Sequence, residues 1–321
     1  MENRMTTKQR RLPKFRRAPE LYGPFRFSET DLEILRLVHD YRYVTADHVF
    51  ALTKGNQRHL ADRLQGLFHH SYLQRLLPPP AMRVADAPQK GSEKFTYVLD
   101  EPGASTLARA EGIGVRELAW EPRHANRMNW FVEHQLMIGT LRAVLELALR
   151  QRNDLKLIEW RGEDEIRDAV SILYSDGSRR EHSVAPDGYL SIRHNGINRN
   201  FFLECDRGTE RDARILPKFQ NYWLYTSPKS PFFKRYQNAQ NRLILFICTS
   251  EARLRAMRQT LLKADPEHRR GLAQFWFTLA SRYSLRDPKA VLGPIWYQGP
   301  RTAHDDRAGK PDPLRTLFEE T

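Results

Sequence analysis

The stretches Pro186-Asp187-Gly188-Tyr189 and Phe201-Phe202-Leu203-Glu204-Cys205-Asp206-Arg207-Gly208-Thr209-Glu210 decide how this chain is read. Successive side chains of an extended strand point to opposite faces, so Phe202, Glu204 and Asp206 share one side and Phe201, Leu203 and Cys205 the other. Two carboxylates thus stand side by side on one face of an apolar strand. A neighbouring strand from Val184 to Leu190 is expected to bring Asp187 beside them. Carboxylates gathered in this way repel one another unless a proton or a hard cation such as Mg²⁺ lies between them.

Working outward, an amphipathic helix spans about 129–151. Strands are expected at 155–160, 168–174, 184–192 and 200–206, a helix at 211–226, a strand at 243–247, a helix at 251–263, and strands near 274–279 and 291–297. Long helix, three strands, helix, strand is the order of a restriction-endonuclease-like core, and the acidic strand resembles the PD-(D/E)XK nucleases. That resemblance implies Asp187, Glu204 and Asp206 as metal ligands and catalytic residues, with Mg²⁺ as the cofactor. The position two after Glu204 is Asp206 where the motif has Lys. Arg207 and Lys218 are the nearest replacements. Glu133, in the helix before the sheet, is a further catalytic candidate. The bland alternatives are a Pro-Asp-Gly turn at Asp187 and structural ion pairs of Glu204 and Asp206 with Arg207 or Arg211.

The first part of the chain follows a different plan. Ser28 with Asp31 resembles a capping box, and Leu32, Leu35 and Val38 make a helical stripe. Thr45 caps a short second helix, and a third runs from Gln57 to His70 over Leu60, Leu64, Leu67 and Phe68. A hairpin of 72–76 and 95–99 follows. Three helices and a hairpin describe a winged helix-turn-helix, whose third helix enters the major groove. Gln57, Arg58, His59 and Arg63 lie off its apolar stripe as DNA-reading candidates. Arg75, Lys90 and Lys94 of the hairpin are candidates for phosphate contact, together with Arg10, Arg11, Arg16 and Arg17 of the N-terminal segment. The expected division is a basic flexible arm (1–26), a winged helix (27–112), a linker (113–128), the nuclease-like domain (129–298) and a disordered tail (299–321).

Composition supports a polyanion partner. The 321 residues carry 52 Lys and Arg against 39 Asp and Glu, a net charge of +13. Six positive charges fall between Lys8 and Arg17. No apolar run is long enough to span a membrane, and the basic start lacks the apolar core of a signal peptide. Cys205 and Cys248 are the only cysteines. Each sits in an apolar run and is expected to be reduced and buried, which suits a cytoplasmic protein. No GxxxxGK loop, GxSxG elbow or HExxH pair occurs.

The layout as a whole is similar to the replication-relaxation family of plasmids and integrated mobile elements. The resemblance runs from about Ser28 to Trp296. It rests on Leu99-Asp100-Glu101-Pro102-Gly103, Glu133-His134, Pro186-Asp187, Glu204-Cys-Asp206-Arg207-Gly-Thr209, and Lys218 with Tyr222. It implies a double-stranded-DNA-binding protein of mobile-element replication or transfer. Partners would be replication or transfer proteins, or a second copy in a homodimer. Two readings stay open: a Mg²⁺-dependent endonuclease or nickase, and a non-catalytic regulator on a nuclease-like fold.

Overall fold

The computed structural model describes residues 14–76, 95–122, 127–173, 175–208, 212–226, 235–236, 242–265, 271–299 and 313–318. The chain divides into two compact units, Met1–Gly139 and Thr140–Thr321.

The first unit holds α1 (Glu29–Tyr41), β1 (Val44–Thr45), α2 (Ala46–Leu52), α3 (Gln57–His69), β2 (Leu73–Leu76), β3 (Thr96–Leu99) and α4 (Glu101–Glu111). Asp31 closes the α1 capping box, accepting bonds of 2.7 Å from the Ser28 N–H and hydroxyl. The Asn56 side chain caps α3 by accepting from the Arg58 N–H at 2.8 Å. Ile34, Leu35, Val38, Leu60, Leu64 and Leu67 are fully or almost fully buried, as helical spacing demands. The sheet order is β1-β3-β2, antiparallel throughout.

The expected flexible arm is in part folded onto this unit. Ala18 is fully buried, and its N–H donates to His69 Nδ1 at 3.1 Å. Tyr22 stacks on His69 and Phe25 on His70, with ring centroids 5.7 and 5.0 Å apart. Gly66 makes room for this: a Cβ there would stand 2.4 Å from the Phe25 ring. Aromatic packing without a repeating period has no pattern to read in sequence. Within the stretch expected as a linker, Trp120 Nε1 donates to the Leu99 carbonyl at 3.1 Å, and His39 Nε2 meets the Leu118 carbonyl at 2.8 Å. α5 (Asn129–Leu149) follows, and the boundary between the units falls inside it, after Gly139. Its Val132 and Leu136 pack with Tyr43 and Val98 in the first unit.

The second unit is built on β4 (Leu155–Gly162), β7 (Gly188–His194), β8 (Ile197–Asp206), β9 (Arg242–Cys248), β10 (Phe275–Leu279) and β11 (Tyr297–Gln298). They form a mixed sheet in the order β11-β10-β9-β8-β7-β4. β4, β7 and β8 are antiparallel, and β8, β9 and β10 run parallel. A hairpin of β5 (Asp168–Leu173) and β6 (Arg179–Val184) forms a separate two-stranded sheet. α6 (Asp212–Tyr225) connects β8 to β9, and α7 (Glu251–Ala264) follows β9. Phe202, Phe219, Tyr222, Phe246, Phe275 and Phe277 belong to the core between helices and sheet.

Three expectations need correction here. The strand expected over 184–192 starts only at Gly188, as β7, while Val184 ends β6 of the separate hairpin; Pro186 between them has no N–H to continue a ladder. The strand expected near 291–297 is a 3₁₀ turn at Pro288–Leu292 and a two-residue strand at Tyr297–Gln298, separated by Gly293 and Pro294. Within the expected disordered tail, Arg315 pairs with Trp296, and Leu317 and Phe318 are buried. Phe318 lies against Phe201, on the sheet face opposite Phe202.

Candidate functional site

β8 delivers its carboxylates at the end of the strand. Residues 200–206 are all buried, so Glu204 and Asp206, 2% and 7% exposed, lie inside the protein. Burying a carboxylate is costly unless it is paired, and each has a partner. Glu204 Oε2 accepts from Lys218 Nζ at 2.8 Å, and its Oε1 accepts from the Tyr222 hydroxyl at 2.5 Å. Both partners come from α6, four residues apart and therefore on one face of the helix. Asp187 arrives from the turn before β7. Its N–H donates to the Leu203 carbonyl at 2.9 Å, and its Oδ2 accepts from the Cys205 N–H at 2.6 Å. These two bonds hold Asp187 against β8 at the level of Glu204.

The electrostatics follow from this arrangement. Burial is the main cause that pushes Glu204 up to about 7, against an ordinary 4.5. The Asp187 charge pushes the same way, while Lys218 and Tyr222 oppose it. Burial, then the Glu204 charge beside it, drives the Tyr222 hydroxyl well above its ordinary range.

Asp206 is used differently from expectation. Arg253 of α7 binds it through two bonds, Nε to Oδ1 and a terminal nitrogen to Oδ2, each 2.8 Å. The Gly208 N–H adds a third at 2.5 Å, made by a left-handed turn with φ 79° that suits glycine. Among the described residues no group of three or more His, Cys, Asp and Glu side chains is arranged to hold a metal ion. The carboxylates brought together are Asp187 and Glu204, with Lys218 between helix and strand. Glu133 belongs to the first unit. Sequence reasoning paired Tyr222 with Lys218 without giving it a role, and missed Arg253. The spacing Lys218-x-x-x-Tyr222 is the available signal for Tyr222, and nothing local marks Arg253.

On the first unit, Gln57, Arg58 and His59 are exposed at the start of α3, and Arg16 is exposed near its N-terminal segment. Arg63, expected to read bases, is turned inward. Its Nε bonds Asp31 at 2.8 Å, a terminal nitrogen bonds the same carboxylate, and the guanidinium lies 4.4 Å from the Phe25 ring centre. Arg75, expected on phosphate, stacks over Phe68 and Phe95 at 4.2 and 4.8 Å. Arg17 pairs with Asp100. Arg10, Arg11, Lys90 and Lys94 lie outside the described residues.

The second unit is thus a mixed α/β sheet on which a buried Glu204, with the half-buried Asp187 beside it, is answered by a lysine and a tyrosine from the crossover helix. The family model for replication-relaxation proteins matches residues 35–241, more than half of the chain and inclusive of all these groups. The chain belongs to the replication-relaxation family. No curated protein and no solved structure matches it. Among the described residues, no helix is long and apolar enough to cross a membrane.

Proposed function

We propose that this chain binds duplex DNA in the replication or transfer of a plasmid or mobile element, and that its second unit nicks that DNA. Three helices with a three-stranded antiparallel sheet support a winged helix for the first unit, with Gln57, Arg58 and His59 toward the groove. Helix, β4, β7, β8, helix, β9 supports a restriction-endonuclease-like core for the second.

The observation that carries the nicking reading is the 2.8 Å contact of Lys218 Nζ with Glu204. In this reading Lys218 of α6 stands in for the ammonium that the motif normally carries two residues after the glutamate. Asp187 and Glu204 fit a hard cation: both offer oxygen, and the charge of one raises the proton affinity of the other, a repulsion that a cation relieves. These two would hold Mg²⁺, which supplies a water acidic enough to attack and a counter-charge for the phosphate. Lys218 keeps a positive charge beside the reacting phosphate. Tyr222 fixes the orientation of Glu204. Arg253 holds the end of β8 in place through Asp206.

A non-catalytic regulator is the second reading, and one observation favours it. Both Glu204 oxygens are satisfied by Lys218 and Tyr222, and Asp206 by Arg253, so the network closes without an ion. The second unit would then serve dimerisation or recruitment of replication proteins. Supercoiled DNA carrying the gene's own neighbourhood separates the two. Metal-dependent conversion to open circles, reduced at least about 100-fold by Glu204→Ala or Lys218→Ala with DNA affinity retained, is the expected result. Binding with no conversion, by wild type and variants alike, leaves the regulator.

A further inference from the structure

α6 carries a graded line of side chains at four-residue spacing. Tyr222 is fully buried, Lys218 is about one-third exposed at 31%, and Arg214 is exposed. Residues i and i+4 share a helix face, so the line runs from the core at Glu204 outward to solvent one turn before Lys218. Four residues of helix advance about 6 Å. Successive phosphates of one DNA strand advance about 3.4 Å along the duplex axis, so a strand seated at Lys218 has its next one or two phosphates within reach of Arg214.

We propose that Arg214 contacts a phosphate next to the scissile one, and so positions the strand at the site. This rests on the nicking reading for which phosphate is cut, but it makes a separate claim about binding. Other arginines of the second unit are less suitable. Arg253 is committed to Asp206, and Arg282 to Glu251 and the Ile295 carbonyl. The exposed Arg179 of the β5–β6 hairpin has Glu181 for a neighbour on the same face, with Asp176 in the adjoining turn. Arginine suits the role, since its fork of donors matches phosphate oxygens.

The test measures equilibrium binding of the full chain to a short duplex over a range of salt concentrations in chelator, alongside the nicking assay. Wild type is compared with Arg214→Ala, Arg214→Lys and Arg179→Ala. Loss of one phosphate contact lowers the slope of log affinity against log salt by about one. Arg214→Ala is expected to show that loss and a several-fold weaker affinity, with Arg214→Lys restoring the slope and Arg179→Ala matching wild type. A nicking wild type with an unchanged slope and unchanged KM in Arg214→Ala overturns the assignment and leaves the nicking reading standing. The slope change without nicking by wild type supports the phosphate contact and removes the nicking reading. A wild type that does not bind the duplex overturns both.

Discussion

On α3, Arg63 lies against Asp31 and Phe25 inside the first unit, while on α6 Lys218 lies against Glu204 at the end of β8. Both are cations flanking the apolar stripe of a helix, and the sequence treats them alike. What separates them is the carboxylate each one meets. Asp31 is fully buried, and it already accepts from Ser28 as the cap of α1, so Arg63 completes a structural clamp. Glu204 stands beside a second carboxylate, Asp187, near the end of a strand, and under the proposed reading Lys218 completes a site with charge chemistry to perform. A buried carboxylate recruits the nearest cation, and its surroundings decide whether the pair is architecture or machinery. Arg253 with Asp206 and Arg17 with Asp100 fall on the architectural side.

That comparison can be broken most forcefully at Asp31. Asp31→Ala removes a helix cap and strands the Arg63 charge, and is expected to cost about 3 kcal/mol of unfolding free energy by urea denaturation. A loss below about 1 kcal/mol would show that Arg63 relaxes into solvent and that the clamp is incidental.

The second effect concerns Glu204 and pH. The folded state holds the Glu204 proton more tightly than the unfolded chain, with a pKa of about 7 against 4.5. Its stabilising contribution is therefore complete below about pH 4.5 and is lost as pH rises through 7. In chelator, wild type should lose about 2 kcal/mol from this group between pH 5 and 8, since a tenfold difference in proton affinity between folded and unfolded chain is worth about 1.4 kcal/mol. Glu204→Gln, which mimics the protonated form, should flatten that decline. Parallel profiles for the two proteins would count against a strained carboxylate.

The smallest effect sharpens the contrast within α3. Arg58→Ala is expected to weaken duplex binding roughly tenfold, about 1.4 kcal/mol, with stability changed by less than about 0.5 kcal/mol. Arg63→Ala should do the opposite, lowering stability with little change in the affinity of the folded protein. If Arg63→Ala were the one to lose DNA binding, the inward placement of its side chain would not describe the bound state.

Much of the local structure was legible. The apolar spacing of Leu35 and Val38 in α1, and of Leu60, Leu64 and Leu67 in α3, marks their buried faces, and the caps Ser28 and Thr45 stand where helices begin. The alternation along β8 correctly placed Glu204 and Asp206 on the face of Phe202. The docked segment at Ala18, Tyr22 and Phe25 was not legible, because its contacts are made with α3 and obey no period of their own. Leu317 and Phe318 escaped for the same reason: short apolar pairs in polar surroundings look like tail until a sheet face receives them.

By itself the sequence determined the helices and strands, the acidic strand end and the family. These depend on backbone periods of 3.6 and 2 residues and on short contiguous strings. Only the tertiary structure decided that Asp187 meets Glu204 while Asp206 turns to Arg253, that Lys218 reaches the site, and that Arg63 and Arg75 face inward. Those outcomes depend on which carboxylates are buried and which cations the packing of distant segments brings within about 3 Å, the range of a hydrogen-bonded ion pair.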